Sequence, residues 1–212
     1  LSIFDTPYKN TYSFWIYPAN NDPKPTKDIV VAYDLDETVM NKLSTGSKVL
    51  LFPNKEKMAE QTVGALFQTD YWNYRMFKTV CENLHRPVSP GTMGILTDPK
   101  HPALEEFPCE FHTNWQWFPI IKQSYPMILD RLPQNYRPIV QVIDNIERNH
   151  KLGLLYELKV GNGKLLVCMS DLKSVLDKPE ARQFYSSLLR YMNSSDFEPA
   201  LTLKPEELKE LF

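Results

Sequence analysis

Ile29-Val30-Val31-Ala32, then Asp36-Glu37-Thr38-Val39-Met40-Asn41-Lys42-Leu43, then Gly46, then Val49-Leu50-Leu51-Phe52: this stretch decides the fold. Two short runs without polar interruption are strands buried on both faces, and the helical stretch between them, stopped by Gly46, makes a β-α-β crossover. Such units build a parallel sheet covered by helices.

Working outward, Gly94-Ile95-Leu96-Thr97, Pro138 to Ile143 and Leu152 to Val160 read as further strands. Gly161-Asn162-Gly163 supplies the positive-φ residues of a tight hairpin into Leu165-Leu166-Val167-Cys168-Met169. A hairpin late in the chain makes the sheet mixed. Phe77, Val80, Cys81 and Leu84 stand at helical spacing, with Thr69 or Asp70 as the expected cap. Pro179 opens a last long helix with Ala181, Phe184, Leu188 and Met192 on one face. Upstream, Tyr12 to Tyr17 alternate with aromatics on both faces, as a strand pairing beyond this segment would. Asn20 to Pro25 then reads as a linker. The expected architecture is α/β: a three-layer, mixed, mostly parallel sheet with helices on both faces, preceded by a short β segment. The expected divisions are residues 1–27 (end of a preceding β-sandwich plus linker), 28–195 (α/β domain) and 196–212 (tail).

With 212 residues, 42% hydrophobic and 24% charged, the chain suits one globular domain with a small appendage. A net charge of -2 offers no basic surface for nucleic acid. No apolar run approaches the roughly 20 residues of a membrane span, and no signal segment is visible. Leu1, not a methionine, and the early strand-like stretch suit an excised piece and equally a processed or trimmed protein. Cys81, Cys109 and Cys168 form no metal-type pair, and His85, His101, His112 and His150 lack ligand spacing. No metal or cofactor is expected. No serine stands in a G-x-S-x-G elbow.

Asp34-Leu35-Asp36-Glu37-Thr38 after a strand resembles the D-x-D-x-T loop of haloacid-dehalogenase-type phosphatases. That resemblance implies Asp34 as nucleophile, Asp36 as acid and base, and magnesium between them. The alternative is structural, with Asp34 ending a strand and Asp36 capping a helix. The phosphatase also needs a Thr or Ser, a lysine and a second acidic pair. Thr97, Lys100 or Lys122, and Asp144 with Glu147 are the available substitutes, and Gly46 leaves no room for the usual flap.

His112-Thr113-Asn114-Trp115-Gln116-Trp117-Phe118 is the densest aromatic segment. His112, Asn114, Trp115 and Trp117 could stack on and hydrogen-bond a sugar; alternatively Trp115 and Trp117, being of like parity, bury one face of an extended strand. At least one of them is expected to be structural.

From Gly91 onward the chain resembles the C-terminal region of family 2 glycoside hydrolases of the β-galactosidase kind from Bacteroides-type bacteria. The strings concerned are Gly91-Thr92-Met93-Gly94, Asp98 to Leu104, His112 to Trp117, Arg137 to Val140, Asp144-Asn145, Lys159 to Val167 and Pro179 to Gln183. Tyr12 to Pro18 looks like the end of the β-sandwich preceding that region. The order of elements is similar to non-catalytic glutamine-amidotransferase-like (flavodoxin-like) folds. No cysteine stands on the nucleophile elbow those enzymes use. Retaining glycosidases of the family place two carboxylates about 5 Å apart on barrel strands, and this chain is too short for that barrel. The resemblance therefore implies a segment without catalytic residues, acting on the barrel of its own parent chain, on a carbohydrate cleft, or in oligomer formation, in a periplasmic or extracytoplasmic setting.

Overall fold

A computed structural model describes residues 3–19, 21–66 and 71–212. The β-α-β unit forms where the sequence places it: β1 (Ile29–Ala32), α1 (Glu37–Ser44) and β2 (Lys48–Leu51), with β1 and β2 parallel. The Asp36 carboxylate caps α1 by accepting from the Val39 amide at 2.8 Å. The chain continues through α2 (Tyr74–Asn83), β3 (Gly94–Thr97), α3 (Phe118–Lys122), β4 (Met127–Ile128) and β5 (Val140–Ile143). It closes with β6 (Lys151–Val160), β7 (Gly163–Cys168), α4 (Pro179–Asn193), β8 (Thr202–Leu203) and α5 (Pro205–Leu211).

The sheet runs β1-β2-β7-β6-β5-β3. Its parallel part is confined to β1, β2, β7 and the short β6–β8 pair. The β3–β5, β4–β6, β5–β6 and β6–β7 pairings are antiparallel, so the sheet is mixed but not mostly parallel as expected. The reason is the hairpin: turning β6 directly into β7 reverses the strand direction, and β5 enters β6 by a short connection that reverses it again. Long β6 serves two neighbours on each edge. On one it carries β4 then β7, on the other β5 then β8.

Alternate residues feed two cores. Leu50, Leu166, Cys168 and Leu154 pack under α3 and α4 with Phe184 and Leu188, while Val49, Leu51, Leu165 and Val167 pack under α1 and α5 with Leu43 and Leu208. This is the three-layer arrangement with helices on both faces. Residues 196–212 are no tail: Leu203, Leu208 and Leu211 complete the second core.

Three further expectations are corrected. Residues 12–17 form no strand; they lie extended against the body with Trp15 and Tyr17 partly covered and the alternate side chains outward. The stripe on α2 is helical but none of its residues is fully buried, because α2, unlike the flanking Phe52, Met58 and Ala65, contributes to neither core. The expected caps Thr69 and Asp70 lie outside the described residues, and Asn73 caps α2 through the Met76 amide. In the β6–β7 turn only Gly161 has positive φ, at 58°. Gly163 is instead required by closeness: a Cβ there would strike the Leu43 carbonyl oxygen and sit 2.7 Å from the Leu43 Cα.

Candidate functional site

The tryptophan segment is not extended. Trp115–Trp117 forms a 3-10 turn that leads straight into α3. On such a turn, residues two apart point in different directions, since each step rotates about 120°. Like parity therefore does not mean a shared face: Trp115 is 82% exposed and Trp117 0%. The Trp117 ring meets Phe107 at 4.9 Å and Phe184 at 5.3 Å between centroids, so it is core and leaves the sugar-contact set. Asn114 has its side-chain oxygen and nitrogen shielded and without a hydrogen bond among the described residues, as is the Trp117 Nε1. Of the four candidates, His112 and Trp115 present their side chains to solvent. Phe111 and Phe118 stand exposed on the same segment.

The phosphatase parts do not converge. Asp34 pairs with Lys57 at 2.8 Å and Asp36 is spent on its cap. Asp144 follows β5, four strand spacings from β1, which is about 19 Å at ~4.8 Å per strand. It is held by Arg148 and by the His150 amide. Thr97 ends β3, which runs against β5, so it lies at the opposite end of the sheet from Asp34. Among the described residues no group of three His, Cys, Asp or Glu could hold a metal. Burial pushes the Cys168 thiol up to about 12 and raises Cys109 as well, so neither is a ready nucleophile.

A cleft of about 710 Å³ opens where β3 ends and β5 begins. It exists because β5 leaves β6 at Leu155 and β8 joins only at Lys159. Tyr136 bridges the gap: its hydroxyl donates to the Glu157 carbonyl at 2.8 Å and accepts from the Glu157 amide at 3.3 Å. The Glu157 side chain faces the cleft and accepts from the Tyr191 hydroxyl, on α4, at 2.6 Å through Oε2. Desolvation by burial raises the Glu157 carboxyl above the usual glutamate range, against the Tyr191 hydrogen bond, which favours the charged form. His101, another wall residue, packs edge-on against Tyr191 and accepts the Ala103 amide at Nδ1, 3.2 Å away. That bond needs an unprotonated Nδ1, and burial accordingly lowers the imidazole below its ordinary value. A partly desolvated carboxyl and an imidazole that accepts at Nδ1 thus line one cleft, which makes it a candidate binding site.

A family model described as a domain of unknown function, DUF8487, matches residues 30–212. The chain belongs to this family. No curated protein matches it. The cleft, the tryptophan turn and nearly all of both cores lie inside the DUF8487 span, whereas Ile29 of the first core and the aromatic arm, residues 3–19, precede it. Sequence reading of this DUF8487 member missed Glu157 and His101. The signal was present in Leu154-Leu155-Tyr156-Glu157-Leu158, where one acidic residue interrupts a buried strand.

Proposed function

We propose that this DUF8487 domain is a non-catalytic accessory module of a glycoside hydrolase of the β-galactosidase kind, seated on the catalytic barrel of the same polypeptide and contributing to its carbohydrate cleft. The observation that carries the reading is the aromatic arm. Trp15 donates through Nε1 to the Pro108 carbonyl at 2.9 Å, Tyr17 donates to Gln116, and the Tyr17 ring stacks on Phe107. These anchors turn Phe14 and Ile16 outward, 78% and 85% exposed, beside the turn that bears Trp115. Apolar side chains gathered outward on one surface mark an interaction face. The arm and turn are thus a docking surface, with Trp115 and His112 at the edge where a sugar would pass. The resemblance from Gly91 onward supplies the nature of the parent.

The test is twofold. The chain alone should not turn over aryl β-galactosides or β-glucuronides; turnover abolished by a single Asp or Glu substitution would overturn the reading. In the full-length gene product, Phe14→Ser with Ile16→Ser should loosen the module, making it more readily released by limited proteolysis. Unchanged release there would also count against docking.

A further inference from the structure

We propose that the Glu157 cleft is a binding site for a small organic cation: an amine or guanidinium on a short hydrocarbon stem. This rests on the cleft itself and is independent of the hydrolase assignment.

The chemistry follows from what each wall residue has left to offer. Glu157 Oε2 is taken by Tyr191, while Oε1 has no hydrogen bond among the described residues. The nearby lysines are engaged elsewhere: Lys164 holds the Phe197 carbonyl and Glu198, and Lys159 also pairs with Glu198. No ion pair to Glu157 forms among the described residues. Lys164 still acts on the Glu157 carboxylate through space but is itself hydrogen-bonded to Glu198, whose charge opposes it, so a ligand that brings a cation into direct contact with Glu157 recovers part of the cost of desolvating it. At the rim, the exposed Arg137 and Asp98 carry opposite charges, and Arg137 donates to the Gln134 and Tyr136 carbonyls. Asp98 and Arg137 offset one another, which leaves the Glu157 carboxylate as the unbalanced charge among the acidic and basic lining residues. Ile139, Leu201 and Pro138 supply a hydrocarbon wall above it. An anion would meet the Glu157 charge, and a neutral solute would leave it uncompensated. The volume is within the range of small-molecule sites, roughly 300–1,000 Å³.

The probe is n-butylammonium, titrated into the whole chain at low ionic strength and followed by NMR, with n-butanol as the uncharged control. Saturable binding of the ammonium, centred on residues of the cleft and much stronger than that of the alcohol, is expected. Glu157→Gln, which keeps an acceptor for Tyr191, should weaken binding by about tenfold, the worth of one charged hydrogen bond. Should that variant not fold, Arg137→Gln provides an independent arm, because removing the rim cation should tighten ammonium binding several-fold at low salt. Non-saturable binding, equal binding of the alcohol, unchanged affinity in Glu157→Gln, or unchanged or weaker affinity in Arg137→Gln would each overturn the assignment.

Discussion

Replacing Trp117 by alanine and, separately, Trp115 by alanine makes the same chemical change two residues apart with opposite consequences. Trp117 is fully buried and wedged between Phe107 and Phe184, so its deletion empties the aromatic centre of the core under α3 and α4. Large aromatic deletions cost about 3–5 kcal/mol, and loss of two edge-on ring contacts places this site toward the upper end. One term opposes that. The Trp117 Nε1 is buried without a hydrogen-bond partner among the described residues, so removing the indole also relieves an unpaired donor worth about 1 kcal/mol or more. The net expectation is about 3–4 kcal/mol, or a fall of roughly 6–16 °C in Tm for a domain of this size. Trp115→Ala removes a ring that is 82% exposed and should stay within about 0.5 kcal/mol. Urea melts of the two variants at equal m-value decide the matter. A neutral Trp117→Ala, or a Trp115→Ala costing about 2 kcal/mol, would refute the 3-10 turn as the device that separates the two rings.

Gly163→Ala should destabilise by about 1–3 kcal/mol or more, since the new methyl meets Leu43 backbone atoms and the Ser47 carbonyl at 2.8 Å, none of which is a flexible side-chain end; thermal melts check this. Asp36→Ala should cost about 1 kcal/mol through the lost cap of α1, whereas Asp34→Asn, which removes only an exposed pair with Lys57, should cost less than about 0.5 kcal/mol. Magnesium-dependent hydrolysis of p-nitrophenyl phosphate lost in Asp34→Asn would contradict that assignment. The folded chain holds the Glu157 proton more tightly than the unfolded chain does, so this residue makes stability fall as pH rises from the ordinary glutamate range through its raised folded value. Glu157→Gln should flatten that part of the urea-midpoint profile and be no less stable than the parent near neutrality, with Lys164 and Glu198 unchanged around it. His101 works in the other direction: its lowered value makes stability fall as pH drops below the ordinary imidazole range.

Much of the framework was legible because local signals were strong. Ile29–Ala32, Gly94–Thr97 and the helix opened by Pro179 lie where periodicity and capping place them. What periodicity does not carry is neighbourhood. The two-residue strands β4 and β8 exist only because β6 is long enough to hold a partner on each edge of both halves. The amphipathic pattern of α2 told that a helix forms but not that its stripe joins neither core. Trp115 and Trp117 misled for a related reason: the period assumed was that of a strand, and the local turn has another. The cleft was invisible because Glu157, His101 and Tyr191 meet through tertiary packing across α4, β6 and the His-Pro turn.

The parallel contact between β2 and β7 has a consequence for how the chain is born. Val49, Leu50 and Leu51 find β1 on one side almost at once, but their other neighbours, Leu165 to Val167, are synthesised more than a hundred residues later. At about 5–20 residues per second, that leaves a fully apolar strand edge waiting on the order of ten seconds outside the ribosome. Closing so long a loop is slow in any case, since its entropy must be met before the pairing rewards it. The early β-α-β unit is therefore the segment of a growing chain in greatest need of a chaperone, and variants that slow the Gly161 turn should first show themselves as lost soluble yield at high expression temperature.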